Sequence, residues 1–212
     1  LGDRLLVGAP GAAGVGEIDG AGRVFEFTLS GDEWRHSGEL SVDPNTDATF
    51  GSPIVTEGDR VVIGAPFNDL AIGAAFAFEL DPTSGNWSDA LKIQVPEAQE
   101  GDSFGAAIAV SDQALWIGAP VTRGLETGIA FVLGDETVEQ FRFTEEETNN
   151  EDSFGHRIAA SGNVVAVTAA GLDHQAGGVF VYERGPDGTW AEPQVLVSPP
   201  DALGAVLGEE RR

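Results

Sequence analysis

Polar and charged side chains in the variable segments of this 212-residue chain are the groups that could do chemistry. Carboxylates and amides bind cations and basic ligands, and two well-placed carboxylates can act as a general acid and base. The segments that differ most between repeats are 11–21, 67–72, 121–127 and 171–176. From them we predict a ligand-binding set of Glu17, Asp19, Asn68, Asp69, Arg123, Glu126, Asp173 and His174. The alternative for each of these residues is a solvated loop tip.

Catalytic and metal-binding patterns are absent from the sequence. The three histidines, His36, His156 and His174, stand at unrelated positions without His-x-Glu-x-x-His spacing, so a zinc site has little support. No Gly-x-Ser-x-Gly elbow occurs, and the glycines of 11–16 are spaced wrongly for a nucleotide-binding loop. We therefore predict no catalytic residue, no metal ligand and no cofactor.

The net charge limits the partners. The chain has 35 Asp and Glu against 11 Lys and Arg, a formal net charge of -24. Such a field repels nucleic acid and anionic lipid, so neither is expected to bind. The acidity indicates either a surface that attracts cations and basic ligands or a solvated shell suited to a high-salt or extracellular setting. No apolar run approaches the length of a membrane span, and the absence of cysteine excludes disulfides.

A repeat of about 50 residues organises the chain and must position these groups. Its first landmark is a Phe-Gly pair, found at Phe50-Gly51, Phe104-Gly105 and Phe154-Gly155 and as Leu203-Gly204. Fourteen residues after each Phe stands a Gly-Ala-Pro, found at Gly64-Ala65-Pro66 and Gly118-Ala119-Pro120 and as the divergent Thr168-Ala169-Ala170. A further copy without its Phe-Gly is Gly8-Ala9-Pro10.

Two more landmarks complete the repeat. A glycine stands three residues before a phenylalanine, at Gly22 and Phe25, Gly73 and Phe76, Gly128 and Phe131, and Gly177 and Phe180. A turn then ends in a tryptophan, at Trp34, Trp87 and Trp190, with Val138 at that place in the third repeat. Because these tryptophans recur in register, we interpret them as packing residues, and Trp116 as a core residue on a strand.

Each repeat is predicted to hold four short strands. In the second repeat they cover about 51–57, 60–64, 74–80 and 91–95, and apolar residues alternate with the period of two that strands show. The link Gly58-Asp59, matched by Gly2-Asp3 and Gly162-Asn163, suits a tight hairpin that needs a positive φ. Four antiparallel strands in about 50 residues are typical of a β-propeller blade.

The order Phe-Gly, Gly-Ala-Pro, Gly-x-x-Phe and Trp resembles the FG-GAP repeat of integrin α-subunit propellers and of many bacterial surface proteins. The link from Gly58 to Pro66 is more similar to the bacterial variety. The resemblance covers essentially the whole chain. It implies an all-β fold, a β-propeller of four-stranded blades that is usually seven-bladed, an extracellular or cell-surface location, and adhesion or binding of a protein or glycan ligand.

From this resemblance we expect about four such blades in a single propeller region. The repeats cover about 1–49, 50–103, 104–153 and 154–202, and 203–212 either starts the next repeat or closes a ring. We expect an excerpt of a larger propeller. The alternative is an isolated four-bladed ring, in which the tail 203–212 supplies the strand that the first blade lacks.

Calcium sites are not carried over from the integrin resemblance. Many integrin-like repeats hold Ca²⁺ in an Asp-x-Asp-x-Asp-Gly loop, where oxygen ligands at alternate positions wrap the cation. Here the corresponding turns, 56–59, 111–113 and 161–163, are too short and too poor in carboxylates. Any Ca²⁺ on the acidic surface is therefore expected to bind weakly.

Acidic residues also recur at the junctions between repeats. Asp102 and Asp152 each stand two residues before their Phe. Recurrence at a junction favours a turn or a cap on backbone N–H groups over a catalytic carboxylate.

Three functions compete. The first is a non-catalytic binding or cell-adhesion module that uses the loop face of a propeller, and the sequence favours it. The alternative is an accessory propeller of a secreted enzyme whose catalytic domain lies outside this chain. A weaker third is a propeller hydrolase or lyase whose face carboxylates act as acid and base.

Overall fold

A computed structural model describes residues 2–12, 20–42, 49–96, 98–111, 114–120, 129–133, 138–142, 153–171 and 177–197. These residues form an all-β structure of antiparallel sheets with one helical turn. They divide into two compact units, Leu1–Gly105 and Ala106–Arg212. Within the described ranges, no helix is long and apolar enough to cross a membrane.

The first unit contains two sheets. Sheet 1 has three strands, β1 (Arg4–Ala9), β2 (Arg23–Ser30) and β3 (Glu33–Leu40). Sheet 2 has four, β4 (Ile54–Glu57), β5 (Arg60–Ala65), β6 (Ala74–Glu79) and β7 (Leu91–Ile93). The helical turn α1 (Asn68–Ala71) lies between β5 and β6.

The second unit also contains two sheets. Sheet 3 is built of β8 (Ala107–Ser111), β9 (Ala114–Ala119), β10 (Ile129–Leu133) and β11 (Val138–Arg142). Sheet 4 is built of β12 (Phe154–Ser161), β13 (Val164–Ala169), β14 (Gly178–Glu183) and β15 (Gln194–Val197).

In all four of these sheets the strands follow one another in chain order, each antiparallel to the last. The four strands predicted for the second repeat are confirmed, with boundaries that differ by a few residues. The first begins at Ile54 instead of residue 51, because Gly51 has a φ of 119° and its chain is still turning. Sheet 1 lacks a counterpart of β4 among the described residues, as expected for a repeat without its Phe-Gly part.

The tight hairpins that join the first two strands have the predicted conformation. Gly2, Gly58 and Gly162 have φ values of 62°, 57° and 55°, which glycine adopts without the penalty of a Cβ. The carbonyl of the next residue accepts a 2.8 Å hydrogen bond from the end of the third strand in each case: Asp3 from Leu29, Asp59 from Leu80, and Asn163 from Arg184. The turn chemistry is therefore the same in three repeats.

Close backbone approach explains why the Phe-Gly and Gly-Ala-Pro landmarks recur together. A Cβ added to Gly64 would overlap the carbonyl oxygen of Gly105 in the next Phe-Gly. The same overlap relates Gly8 to Gly51, and Gly118 to Gly155. Each Gly-Ala-Pro glycine thus leaves room for the Phe-Gly backbone of the following repeat.

A second backbone contact ties each repeat to the next in the first unit. Gly22 pairs with Phe50, and Gly73 with Phe104, as isolated parallel bridges. Both glycines have a positive φ, and a Cβ on either would overlap the paired phenylalanine backbone. The glycine of Gly-x-x-Phe is therefore a point of contact between repeats.

Sheets within each unit pack face to face. We call the face turned to the preceding repeat the leading face; in sheet 2 it carries Val61, Ile63, Phe76, Phe78 and Trp87. The opposite side is the trailing face; in sheet 1 it carries Leu6, Val24, Glu26 and Leu40. These two faces enclose the core of the first unit, together with Phe50. Phe50 meets Phe76 edge-on, with ring centroids 5.8 Å apart.

The second unit repeats this packing. The leading face of sheet 4 carries Val165, Val167, Phe180, Tyr182 and Trp190, and it meets a trailing face of sheet 3 that carries Ala114, Trp116, Ala130 and Val132. Trp116 is fully buried and meets Trp190 edge-on at 4.8 Å between centroids, so its core assignment is confirmed. Trp34 differs from the other tryptophans, since it is 46% exposed.

A buried carboxylate joins sheet 1 to sheet 2. Glu26 on β2 accepts a hydrogen bond from the Trp87 indole Nε1 at 3.1 Å and forms an ion pair with Arg4 at 2.5 Å. Arg4 also donates to the carbonyl of Gly85 at 2.9 Å. The Glu26 side chain is only 8% exposed, so its charge depends on these partners.

We expect Gly64→Ala to lower the free energy of unfolding by about 2–4 kcal/mol, because the new Cβ would force the Gly105 backbone away from sheet 2. Gly11→Ala is the matched control, since a Cβ there has open space. Urea unfolding followed by circular dichroism measures both. If the two variants were equally stable, the close backbone approach would not be what holds the repeats together.

Glu26→Ala is expected to cost about 2 kcal/mol of stability, because Trp87 and Arg4 lose their shared acceptor at the sheet contact. Glu33→Ala removes a carboxylate from the exposed pair with Arg35 and should cost only a few tenths of a kcal/mol. Thermal unfolding of the two variants provides the comparison. Equal losses would contradict a stabilising role for the buried carboxylate.

Candidate ligand-binding loop

Two of the eight predicted ligand residues, Asn68 and Asp69, belong to the described structure. Both lie in the loop between β5 and β6, residues 66–73, which we call the β5–β6 loop. The other six lie outside the described residues: Glu17, Asp19, Arg123, Glu126, Asp173 and His174. The site is therefore built from the second repeat.

The β5–β6 loop contains a left-handed turn. Asp69, Leu70 and Ala71 have φ values of 50°, 59° and 62°, a region that residues with a Cβ rarely occupy. Backbone hydrogen bonds close the turn, from Gly73 N–H to Asn68 O at 2.9 Å and from Ile72 N–H to Asp69 O at 3.1 Å. A left-handed residue other than glycine costs about 1–2 kcal/mol, so neighbouring structure must hold this conformation.

The segment that leads into the third repeat provides that support. The carbonyl of Ala71 accepts hydrogen bonds from Gly101 N–H at 3.1 Å and Ser103 N–H at 2.9 Å. The carbonyl of Ile72 accepts a third from Phe104 N–H at 2.9 Å. The β5–β6 loop and the connection to the third repeat therefore lie side by side.

Asp102 stabilises that connection. Its carboxylate accepts a 2.7 Å hydrogen bond from the backbone N–H of Gln99, and the Asp102 N–H donates to Gln99 O at 3.1 Å. The side chain is buried, which suits a turn-forming residue. The predicted capping role is thus confirmed for Asp102, whereas Asp152 lies outside the described residues.

Asn68 is fully buried beneath the loop. Neither its Oδ1 nor its Nδ2 has a hydrogen-bond partner in the described structure. Burying an amide without a partner costs about 1–3 kcal/mol, so this side chain works against stability. Its donor group and its acceptor group are therefore unsatisfied inside the protein, away from the exposed surface of the loop.

Asp69 points to solvent and pairs with the cation of β7. Its Oδ2 lies 2.5 Å from Lys92 Nζ, and both side chains are more than a third exposed. Such a surface pair adds little stability. Lys92 is the only lysine in the chain, so the pair offers a rare positive group on a strongly acidic protein.

Large apolar side chains flank the ion pair. Phe67, which precedes the buried Asn68, is 55% exposed, and Leu70, which lies within the left-handed turn, is 76% exposed. Apolar groups at a loop tip contribute nothing to the core and are typical of contact surfaces. Residue types alone did not lead us to Phe67, Leu70 or Lys92. For Phe67 and Leu70 the available signal was a large apolar side chain in a segment between two strands.

The loop offers groups for non-covalent contacts. Its surface presents one ion pair and large apolar side chains, while the Asn68 amide is buried beneath it. No group of three or more His, Asp or Glu in the described ranges is arranged to hold a metal ion.

A cavity of about 440 Å³ lies elsewhere, at the hairpin end of sheet 4. Its polar residues bond to one another: Asn163 Nδ2 donates to Glu183 at 3.2 Å, and Arg184 Nε donates to Gly188 O at 2.9 Å. Nearby, hydrogen bonds from Thr189 hold the pKa of the Asp187 carboxyl below its usual value. These contacts stabilise a turn, so the cavity is not the favoured site.

Comparison with known proteins finds no relative on which to base a function: no protein-family model matches the chain, and no curated protein matches it significantly.

Ala71→Gly is expected to raise the free energy of unfolding by about 0.5–1 kcal/mol, because glycine relieves the left-handed strain at a φ of 62°. Ala75→Gly, the same substitution at a buried position of β6, should instead lower it by about 1 kcal/mol or more. Urea unfolding distinguishes the two signs. A loss of stability in Ala71→Gly would argue against strain in the loop.

Proposed function

We propose that the four repeats are blades of an FG-GAP-type β-propeller and that the chain is a non-catalytic, extracellular ligand-binding module. The motif order and the recurring face-to-face packing of consecutive antiparallel sheets support the propeller. The chain is an excerpt of a larger propeller in this proposal. Its loops between second and third strands form the binding face.

The β5–β6 loop carries the functional part of the proposal. It combines three features that each oppose stability: a buried amide without a partner, three left-handed residues and exposed apolar side chains. Features of this kind collect at functional sites, where structure is retained for contact with a partner. The unpartnered Asn68 amide is the single observation on which we rely most.

The exposed groups favour a protein ligand over a glycan. Leu70, which is even more exposed than Phe67, offers a flexible apolar contact, and exposed apolar and aromatic side chains of this kind are typical of protein interfaces. The net charge of -24 would speed association with a basic partner surface. In this proposal Phe67 and Leu70 dock on such a surface at a cell or in the matrix. Asp69 and Lys92 then separate and form ion pairs with charged groups of the partner.

We expect the chain to bind at least one member of a panel of immobilised extracellular matrix proteins, and Leu70→Glu to weaken that binding at least about tenfold. Biolayer interferometry measures the dissociation constant. Leu29→Glu is the matched control, because Leu29 is also exposed but lies at the hairpin end of sheet 1. Absence of binding across the panel, or binding that Leu70→Glu leaves unchanged, would contradict the proposal.

A further inference from the structure

Asn68 does not reach the protein surface in the conformation described above. Its side chain is fully buried, and neither its Oδ1 nor its Nδ2 has a hydrogen-bond partner in the described part of the chain. The backbone of the same residue is satisfied, since Asn68 O accepts the N–H of Gly73 at 2.9 Å. Only the side-chain amide is left unmatched there, and a buried amide in this state requires a physical reason.

The part of the loop above Asn68 is weakly anchored. None of residues 69–71 is buried, and Leu70 is 76% exposed. The side chain of Asp69 forms its ion pair with Lys92 at the surface. The nearest buried positions are Asn68 on one side and Gly73 on the other. No buried apolar side chain therefore resists a movement of residues 69–71.

A glycine stands in the first repeat where Ala71 stands in the second. Two residues further on in both repeats comes the glycine that bridges to the next Phe-Gly, so Gly20 matches Ala71. Both have a left-handed φ, 78° at Gly20 and 62° at Ala71. The carbonyl of Gly20 accepts the N–H of Thr49 at 3.0 Å. That of Ala71 accepts the N–H of Ser103 at 2.9 Å, so the second repeat makes the same bond with a residue that is strained at this φ.

We propose that the β5–β6 loop has a second, open conformation, in which residues 69–71 leave the segment 101–104 and the Asn68 amide contacts the ligand. Opening relieves the left-handed strain and ends the burial of an unsatisfied amide, while it costs the hydrogen bonds from residues 101–104. Because these effects oppose each other, a ligand that binds only the open loop shifts the equilibrium towards it. This role of Asn68 rests on the binding function proposed above.

The amide of Asn68 indicates which chemical group the open loop binds. An amide has an N–H donor and a carbonyl acceptor, and a backbone peptide group offers the complementary acceptor and donor. A carboxylate or a phosphate would leave the acceptor of Asn68 unmatched. Backbone groups within helices and sheets are already paired, so the ligand is an extended segment of the partner protein. Its side chains contact the exposed Phe67 and Leu70.

Amide hydrogen exchange of the free chain, followed by NMR, tests the opening without a ligand. The N–H groups of Ser103 and Phe104 donate to the strained loop, and those of Thr49 and Phe50 make the matching bonds in the first repeat. We expect protection factors at least about tenfold lower for the first pair, because left-handed strain favours opening. Ala71→Gly should slow their exchange about two- to fivefold, because glycine stabilises the closed turn. Equal protection in the two repeats, or no effect of Ala71→Gly, would overturn the open conformation.

Asn68→Leu tests the contact with the ligand. Leucine has the same branching and no polar group, so the urea midpoint of this variant should be at least as high as that of wild type. Its affinity for the matrix protein that wild type binds should nevertheless fall at least about tenfold, because the paired amide is lost. Asn163→Leu is the matched control and should leave the affinity unchanged. The Asn163 amide already donates to Glu183, at the hairpin end of sheet 4.

Ala71→Gly provides a second readout of binding. It should weaken the affinity by the same factor by which it slows exchange, since only the open fraction binds. A variant that merely changed the packing beneath the loop would not link these two numbers. Unchanged affinity in Ala71→Gly, together with slowed exchange, would show that the closed loop binds and would overturn the role of Asn68.

The remaining outcomes separate this role from the function proposed above. If Leu70→Glu weakens binding and Asn68→Leu does not, the binding function stands and the contact with Asn68 is wrong. A lower urea midpoint for Asn68→Leu would mean that a trapped water satisfies the amide in the closed loop, which also contradicts the open conformation. Absence of binding to every member of the panel rejects the binding function and the role of Asn68 with it.

Discussion

The approach of one backbone to another at glycine is the constraint on which the rest of the structure depends. Gly64 allows the carbonyl of Gly105 to lie where a Cβ would be, and the pairs Gly8 with Gly51 and Gly118 with Gly155 repeat the arrangement. This contact brings the start of each repeat against the second strand of the one before. The apolar faces can then meet at the distance that close packing requires.

The repeating parts of the fold could be predicted from the sequence. Strand positions are buried on alternating faces, so their side chains repeat with a period of two, and the register of Phe50, Gly64 and Trp87 could be deduced from the sequence. The conformation of Asp69 to Ala71 could not. It depends on hydrogen bonds from the backbone N–H groups of Gly101, Ser103 and Phe104. These residues are distant in sequence, and no side-chain pattern marks their N–H groups as donors to the loop.

The burial of Asn68 could not be predicted from the sequence either. A polar residue in a variable loop is expected to face solvent, whereas the left-handed turn directs the exposed positions to Asp69 and Leu70 and leaves Asn68 underneath. Trp34 departs from its prediction in the opposite direction, because it is exposed where burial was expected. Its position in the repeat predicts packing, and the described structure contains no sheet that covers it.

The left-handed turn of the β5–β6 loop depends on the segment that leads into the third repeat. Its three left-handed residues cost about 1–2 kcal/mol each, and the three hydrogen bonds from residues 101–104 return about 1 kcal/mol each. These contributions are of similar size, so the turn persists only while residues 101–104 lie against it. Without that segment the exposed arrangement of Leu70 and Asp69 would be lost. The conformation of the loop is therefore set by the segment that connects two repeats, next to the backbone contact of Gly64 with Gly105.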